Sequence, residues 1–150
     1  MIVKDIMSYN PAVCLTSTKL SEVARLMVQH ECGEIPVVKS QASKEVIGVI
    51  TDRDICCRAI AADKDPHATS AGDCMSSPVF TVGSETELSK ALKVFEEKEV
   101  RRLPVVDKTN HCVGILSLAD VAEKAPELYA REVLRSAARP GTTGASQPAH

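Results

Sequence analysis

Apolar positions follow two periods along the chain, and the two periods alternate in the same order twice. Leu20, Val23, Ala24 and Met27 stand at i, i+3, i+4 and i+7, the stripe of a helix with one buried face, with Gly33 as its expected end. Two apolar runs rich in β-branched residues follow, 35–38 and 46–50, divided by the polar loop 39–44, and read as strands. Leu88, Ala91, Leu92 and Phe95 then repeat the helical stripe, and 103–106 and 112–116 repeat the strands. Met7 and Met75, Leu20 and Leu88, and Pro36 and Pro104 are each 68 residues apart, whereas Gly48 and Gly114 are 66 apart. The chain is an internal repeat whose second copy is two residues shorter in one loop.

The flanking residues extend both copies. Residues 1–10 read as a turn or short helix with an extended lead-in, stopped by Pro11, and 12–16 and 79–82 read as short first strands. Thr18 is the expected cap of the first helix, Thr51 opens a second helix running to about residue 62, and Ser117 opens its counterpart. Each copy is then β-α-β-β-α, an α/β (α+β) architecture, and a unit of about 50 residues is too small to bury both faces of its sheet alone. The expected organisation is repeat 1 over 1–62, a linker over 63–71, repeat 2 over 72–125, and a C-terminal helix over 126–138 with Leu128, Val133 and Leu134 as its apolar residues. Residues 139–150, small and polar with two prolines and two glycines, are expected to be disordered.

Composition narrows the partners. With 18 basic and 20 acidic residues the formal net charge is −2, which gives no global attraction for a phosphate backbone or an anionic membrane. Aromatic residues are 3% and Trp is absent, so no stacking platform for nucleic acid is expected. No apolar stretch approaches the roughly 20 residues that span a bilayer, and residues 1–5 do not resemble a secretory leader, so a cytoplasmic protein is expected. The six cysteines lie on apolar runs and read as small buried hydrophobes; neither they nor the four histidines have the spacing of a metal site. Adjacent Cys56 and Cys57 leave a redox-responsive protein as an alternative.

Candidate chemistry lies in Thr51-x-x-Asp54 and Ser117-x-x-Asp120. At a strand-to-helix junction the free N–H groups favour phosphate, and the aspartate can accept from two vicinal hydroxyls such as those of a ribose. The same pattern is a helix cap that needs no ligand. Gly48 and Gly114, three residues before each hydroxyl, are expected to leave room for a ligand beside the strand. Arg53, Arg101 and Arg102 supply candidate phosphate contacts, and Ile35-Pro36 and Leu103-Pro104 an apolar wall for a base, although sheet core explains the latter equally well.

The sequence resembles a pair of CBS (cystathionine beta-synthase) domains, a Bateman module, over about residues 2–123. The resemblance rests on Lys4-Asp5-Ile6-Met7 and Gly72-Asp73-Cys74-Met75, the two Pro-Val-Val strands, and the segments Gly48 to Asp54 and Gly114 to Asp120. It implies two units packed through their sheets about a pseudo-two-fold axis, with clefts for AMP, ADP, ATP, NAD or S-adenosylmethionine and no required cofactor. It implies that Asp54 and Asp120 hold ribose, that Thr51, Ser117, Arg53 and Arg101 or Arg102 hold phosphate, and that Ile35, Pro36, Leu103 and Pro104 flank the base. It also implies a homodimer of four such units in a flat disc, acting on a separate effector. Gly33-Glu34 stands where the second copy has Arg101-Arg102, and Asp52-Arg53 where it has Leu118-Ala119, so the two sites are expected to differ.

The expected function is adenosine-nucleotide sensing without catalysis. A hydrolase or nucleotidyl transferase using Asp54 and Asp120 is disfavoured, because no nucleophile–base pair, metal cluster or Gly-rich phosphate loop accompanies them. An interaction adaptor with vestigial sites is the other alternative.

Overall fold

The computed structural model describes residues 1–138, so the expected disorder of 139–150 lies outside the described residues. In chain order the elements are β1 (Ser8–Tyr9), α1 (Leu20–Gln29), β2 (Glu34–Val38), β3 (Val46–Thr51), α2 (Asp52–Arg58), α3 (Ala71–Cys74), β4 (Val82–Gly83), α4 (Leu88–Lys98), β5 (Arg102–Val106), β6 (Cys112–Ser117), α5 (Leu118–Lys124) and α6 (Ala130–Ala138). Single 3-10 turns stand at Val3–Asp5, Ile60–Ala62 and Glu127–Tyr129. The mixed α/β class expected from the repeat is what the chain forms.

Two compact units result, and they cut across the sequence copies. One is Ala12–Val79; the other joins Met1–Pro11 to the described residues from Phe80 onward. The lead-in of each copy therefore completes the unit built by the other copy.

In the discontinuous unit β1, β6, β5 and β4 form one sheet in that order, with β4 parallel to β5 and the other pairs antiparallel. Leu88, Ala91, Leu92 and Phe95 of α4, the expected stripe, are buried against Leu103, Val105 and Leu116. In the continuous unit β2 and β3 pair antiparallel, flanked by single bridges of Cys14 to Val37 and of Ser76 to Val49. Its core is Leu20, Val23 and Met27 of α1 with Ile35, Val37 and Ile50.

Several local expectations are corrected. The strand at 12–16 shrinks to the one bridge at Cys14, because the Thr16 carbonyl turns away to accept from Gly72 N at 2.9 Å. The strand at 79–82 is reduced to Val82–Gly83. Thr18 does not cap α1. Its hydroxyl accepts from Leu15 N, and the first N–H groups of α1, Leu20 and Ser21, donate to the Thr69 and Pro66 carbonyls at 2.9 and 3.0 Å. The residues expected as a plain linker are thus what caps that helix, as the Met1 carbonyl does for Leu88 N of α4.

Nor does Gly33 end α1. The chain leaves the helix through Glu31 at φ 50°, and leaves α4 through Glu99 at φ 53°. In the C-terminal segment Val133 and Ser136 face inward with Tyr129 packed against the core, while Leu128 and Leu134 are 72% and 71% exposed. The buried face follows 129, 133 and 136, so of the three expected apolar residues Val133 alone is buried.

Gly48 and Gly114 have a different role from the one expected. A Cβ on Gly114 would stand 2.6 Å from Met7 Sδ and 2.8 Å from the Ser8 carbonyl oxygen; on Gly48, 2.9 Å from Met75 Sδ and 3.0 Å from the Ser76 oxygen. The space each glycine leaves is filled by a lead-in segment, not kept for a ligand. Gly114→Ala should therefore cost about 1–3 kcal/mol of stability through overpacking, read as a lower urea midpoint. Met7→Ala in the same chain should restore only part of it, because the Ser8 carbonyl remains. An unchanged midpoint for Gly114→Ala would show that segment 7–8 is not packed there.

Candidate functional site

Both hydroxyl–aspartate motifs form reciprocal helix caps. Thr51 Oγ1 accepts from Asp54 N at 3.0 Å while Asp54 Oδ2 accepts from Thr51 N at 3.0 Å. Ser117 Oγ accepts from Asp120 N at 3.0 Å, and Asp120 Oδ2 accepts from Ser117 N at 2.9 Å and from the Ser117 hydroxyl at 2.6 Å. The capping reading is thus correct in both copies. Each cap uses Oδ2 and leaves the second carboxylate oxygen to other donors.

That second oxygen faces a basic side chain one helical turn on. Lys124 Nζ donates to Asp120 Oδ1 at 2.9 Å and to the Ile6 carbonyl at 3.2 Å. The Ser8 hydroxyl lies 3.5 Å from the same Oδ1. Arg58 Nη1 stands 3.6 Å from Asp54 Oδ1 and within 3.0 and 3.2 Å of the Cys74 and Met75 carbonyls and 2.9 Å of Ser76 Oγ. In each unit one cation binds both the motif aspartate and the lead-in segment. The sequence reading missed Arg58 and Lys124, although each lies four residues after its aspartate in both copies.

The strands position the remaining candidates. Glu34 lies opposite Thr51 and Arg102 opposite Ser117; Pro36 pairs with Val49 and Pro104 with Ile115. Ile35, Pro36, Leu103 and Pro104 are all buried in their sheets. Asp52 N donates to the Gly33 carbonyl at 3.0 Å, and Leu118 N to that of Arg101 at 3.1 Å, so each helix start is tied to the residue before the Pro strand. Arg53, Arg101 and Arg102 are exposed, and Arg101 Nη2 donates to the Ala137 carbonyl of α6 at 3.1 Å.

Burial pushes the Asp120 carboxyl up, but hydrogen bonds from Ser117 and Lys124 and the ammonium charge outweigh it and hold the group below its ordinary value. None of the six cysteines forms a disulfide. Burial pushes Cys14 up to about 12 and raises Cys74, which leaves both as inert core residues, whereas Cys56 and Cys57 are exposed on α2. Among the described residues no group of three His, Cys, Asp or Glu side chains could hold a metal ion, and no helix is long and apolar enough to cross a membrane.

The CBS domain model matches residues 3–58 and 71–127. Hypoxic response protein 1 of Mycobacterium tuberculosis is 32% identical over 124 residues, 83% of this chain and 85% of that protein. Its crystal structure with two coordinated zinc ions superposes with a TM-score of 0.76 at 30% identity, covering 84% of this chain and all of that one. CBSX2 in complex with AMP gives a TM-score of 0.70 at 26% identity over 83% of this chain and 95% of that one. The CBS domain pair of protein MJ0100 in complex with 5-methylthioadenosine and S-adenosyl-L-methionine gives 0.72 at 25% identity over 82% and 94%.

The lowered Asp120 carboxyl has a pH signature. The unfolded state binds its proton more readily, so this stabilisation is present above the unfolded carboxyl pKa and is lost as pH falls through the lower folded one. Asp120→Asn should lose about 1–3 kcal/mol at neutral pH, and its deficit against the wild type should close on acidification. Urea unfolding of both proteins from neutral pH down to about pH 2 checks this; a deficit independent of pH would deny the carboxylate's part.

Proposed function

The chain belongs to the CBS domain family, and from that premise we propose that it is a regulatory module that senses an adenosine-containing ligand and catalyses nothing itself. The observation that carries the proposal is the same construction in both units: a carboxylate whose one oxygen closes a helix cap while the other meets a cation, beside an apolar-Pro strand. An ionised acceptor fixed in this way suits vicinal ribose hydroxyls, since charge-assisted hydrogen bonds are the stronger class. Thr51 and Ser117, with Arg53, Arg101 and Arg102, are the proposed phosphate contacts; Ile35-Pro36 and Leu103-Pro104 are the proposed wall for the base. The AMP of CBSX2 and the two adenosyl compounds of MJ0100 support that ligand class. The assembly in this reading is a cytoplasmic homodimer that signals to a separate effector.

A thermal-shift panel of adenosine, AMP, ADP, ATP, NAD and S-adenosylmethionine tests the proposal. A ligand at 100 times its dissociation constant adds about 2.7 kcal/mol of stability, and Asp120→Ala or Asp54→Ala should remove about 1.5–3 kcal/mol of that binding energy for adenosine as well as for its phosphates. A flat panel would favour an adaptor with vestigial sites. Nucleotide turnover abolished by Asp120→Ala would make the protein an enzyme instead.

A further inference from the structure

The C-terminal helix carries a surface that the repeats do not account for. α6 begins at Ala130, past the last residue that the CBS domain model matches, 127. Its inner face is fixed to the unit beneath it. Val133 and Ser136 are buried, Arg101 Nη2 donates to the Ala137 carbonyl at 3.1 Å, and Arg135 Nη1 lies 3.8 Å from Glu96 Oε1. What the outer face presents is therefore a built surface of the unit.

That surface holds an apolar pocket of about 360 Å³. Val121, Ala122, Ala125, Ala130 and Val133 supply its apolar lining, with Glu127 and Leu134 also on its wall. Leu134 and Leu128, the neighbour of Glu127 in the chain, are both largely exposed. A single exposed leucine needs no explanation, but leucines left in water at an apolar pocket make the kind of patch that marks an interface.

Charge along this face falls into blocks. Glu123 and Glu127 come first in the chain, and Arg131 and Arg135 follow. Glu127, Arg131 and Leu134 recur at spacings of four and three, which puts them on one side, whereas Glu132, two residues from Leu134, points elsewhere. An occupant that fits must bring an apolar knob and the same two blocks in the opposite direction. A second copy of the face does so: turned about a two-fold axis, it offers Leu134 to the pocket and sets each Arg131 against a Glu127.

We propose that two copies of this chain dock through this face, α6 antiparallel to α6, with Leu134 of each entering the pocket of the other. The proposal rests on the homodimer of the reading above and assigns the surface that makes it.

Analytical ultracentrifugation of the full chain over a range of concentrations tests this. Leu134→Asp should weaken the dimer about a hundredfold or more, because the two-fold axis puts a charge into both pockets at once. Glu127→Arg and Arg131→Glu should each weaken it when alone. An equimolar mixture of those two variants should dimerise again, since a chain with two bases then meets a chain with two acids, and this recovery should shrink at high salt. Should Leu134→Asp disturb folding, the mixture decides, because Glu127 and Arg131 are both exposed. A dimer that survives all three substitutions, or a mixture that gains nothing, would overturn this surface and leave the homodimer standing. A monomeric wild type would overturn both and leave the face to a different protein, with the adenosine reading untouched.

Discussion

The close approach of a lead-in segment to a glycine in the middle of a strand is the contact on which each unit depends. At Gly114 the Met7 sulfur and the Ser8 carbonyl occupy the place of a side chain, and at Gly48 Met75 and Ser76 do the same. Once the lead-in lies there, its carbonyls face the cation one turn into the next helix, Lys124 or Arg58. That cation in turn meets the free oxygen of the capping aspartate. Packing, cap and candidate site are therefore one continuous set of contacts, built twice.

Each aspartate carries two duties that do not compete for the same atom. Oδ2 accepts from the backbone N–H of the residue three before it, and Oδ1 meets an ammonium or a guanidinium. A hydroxyl approaching Oδ1 would share it with that cation and leave the helix start intact.

Much of this was legible in the sequence because it is periodic. The stripes at 20, 23, 27 and at 88, 91, 92, 95 are the buried faces of α1 and α4, and the Pro-Val-Val and Gly-containing runs are the strands. What escaped depends on partners distant in sequence. Thr18 looked like a cap, but the carbonyls of Pro66 and Thr69 satisfy the helix start. Gly48 and Gly114 looked like vacancies, because a sequence does not show what fills a missing side chain. The C-terminal helix buries Val133 and Ser136 and exposes Leu134, since its orientation is set by the core it lands on, not by its own composition. Arg58 and Lys124 were readable in principle, because a base four residues after each aspartate recurs in both copies.

The discontinuity of one unit has a consequence for the order of events during synthesis. Residues 12–79 are contiguous, and that unit has all its parts as soon as they leave the ribosome. β1 pairs with β6, Ser8 opposite Ile115, so β1 must wait for a strand made about a hundred residues later. At about 5–20 residues per second that delay is on the order of ten seconds, during which Ile2, Val3, Ile6 and Met7 are apolar and without their final cover. The loop to be closed is long, but closure entropy grows only slowly with length. The cost of the arrangement is exposure time more than stability, and it falls on the segment that later lies against Gly114.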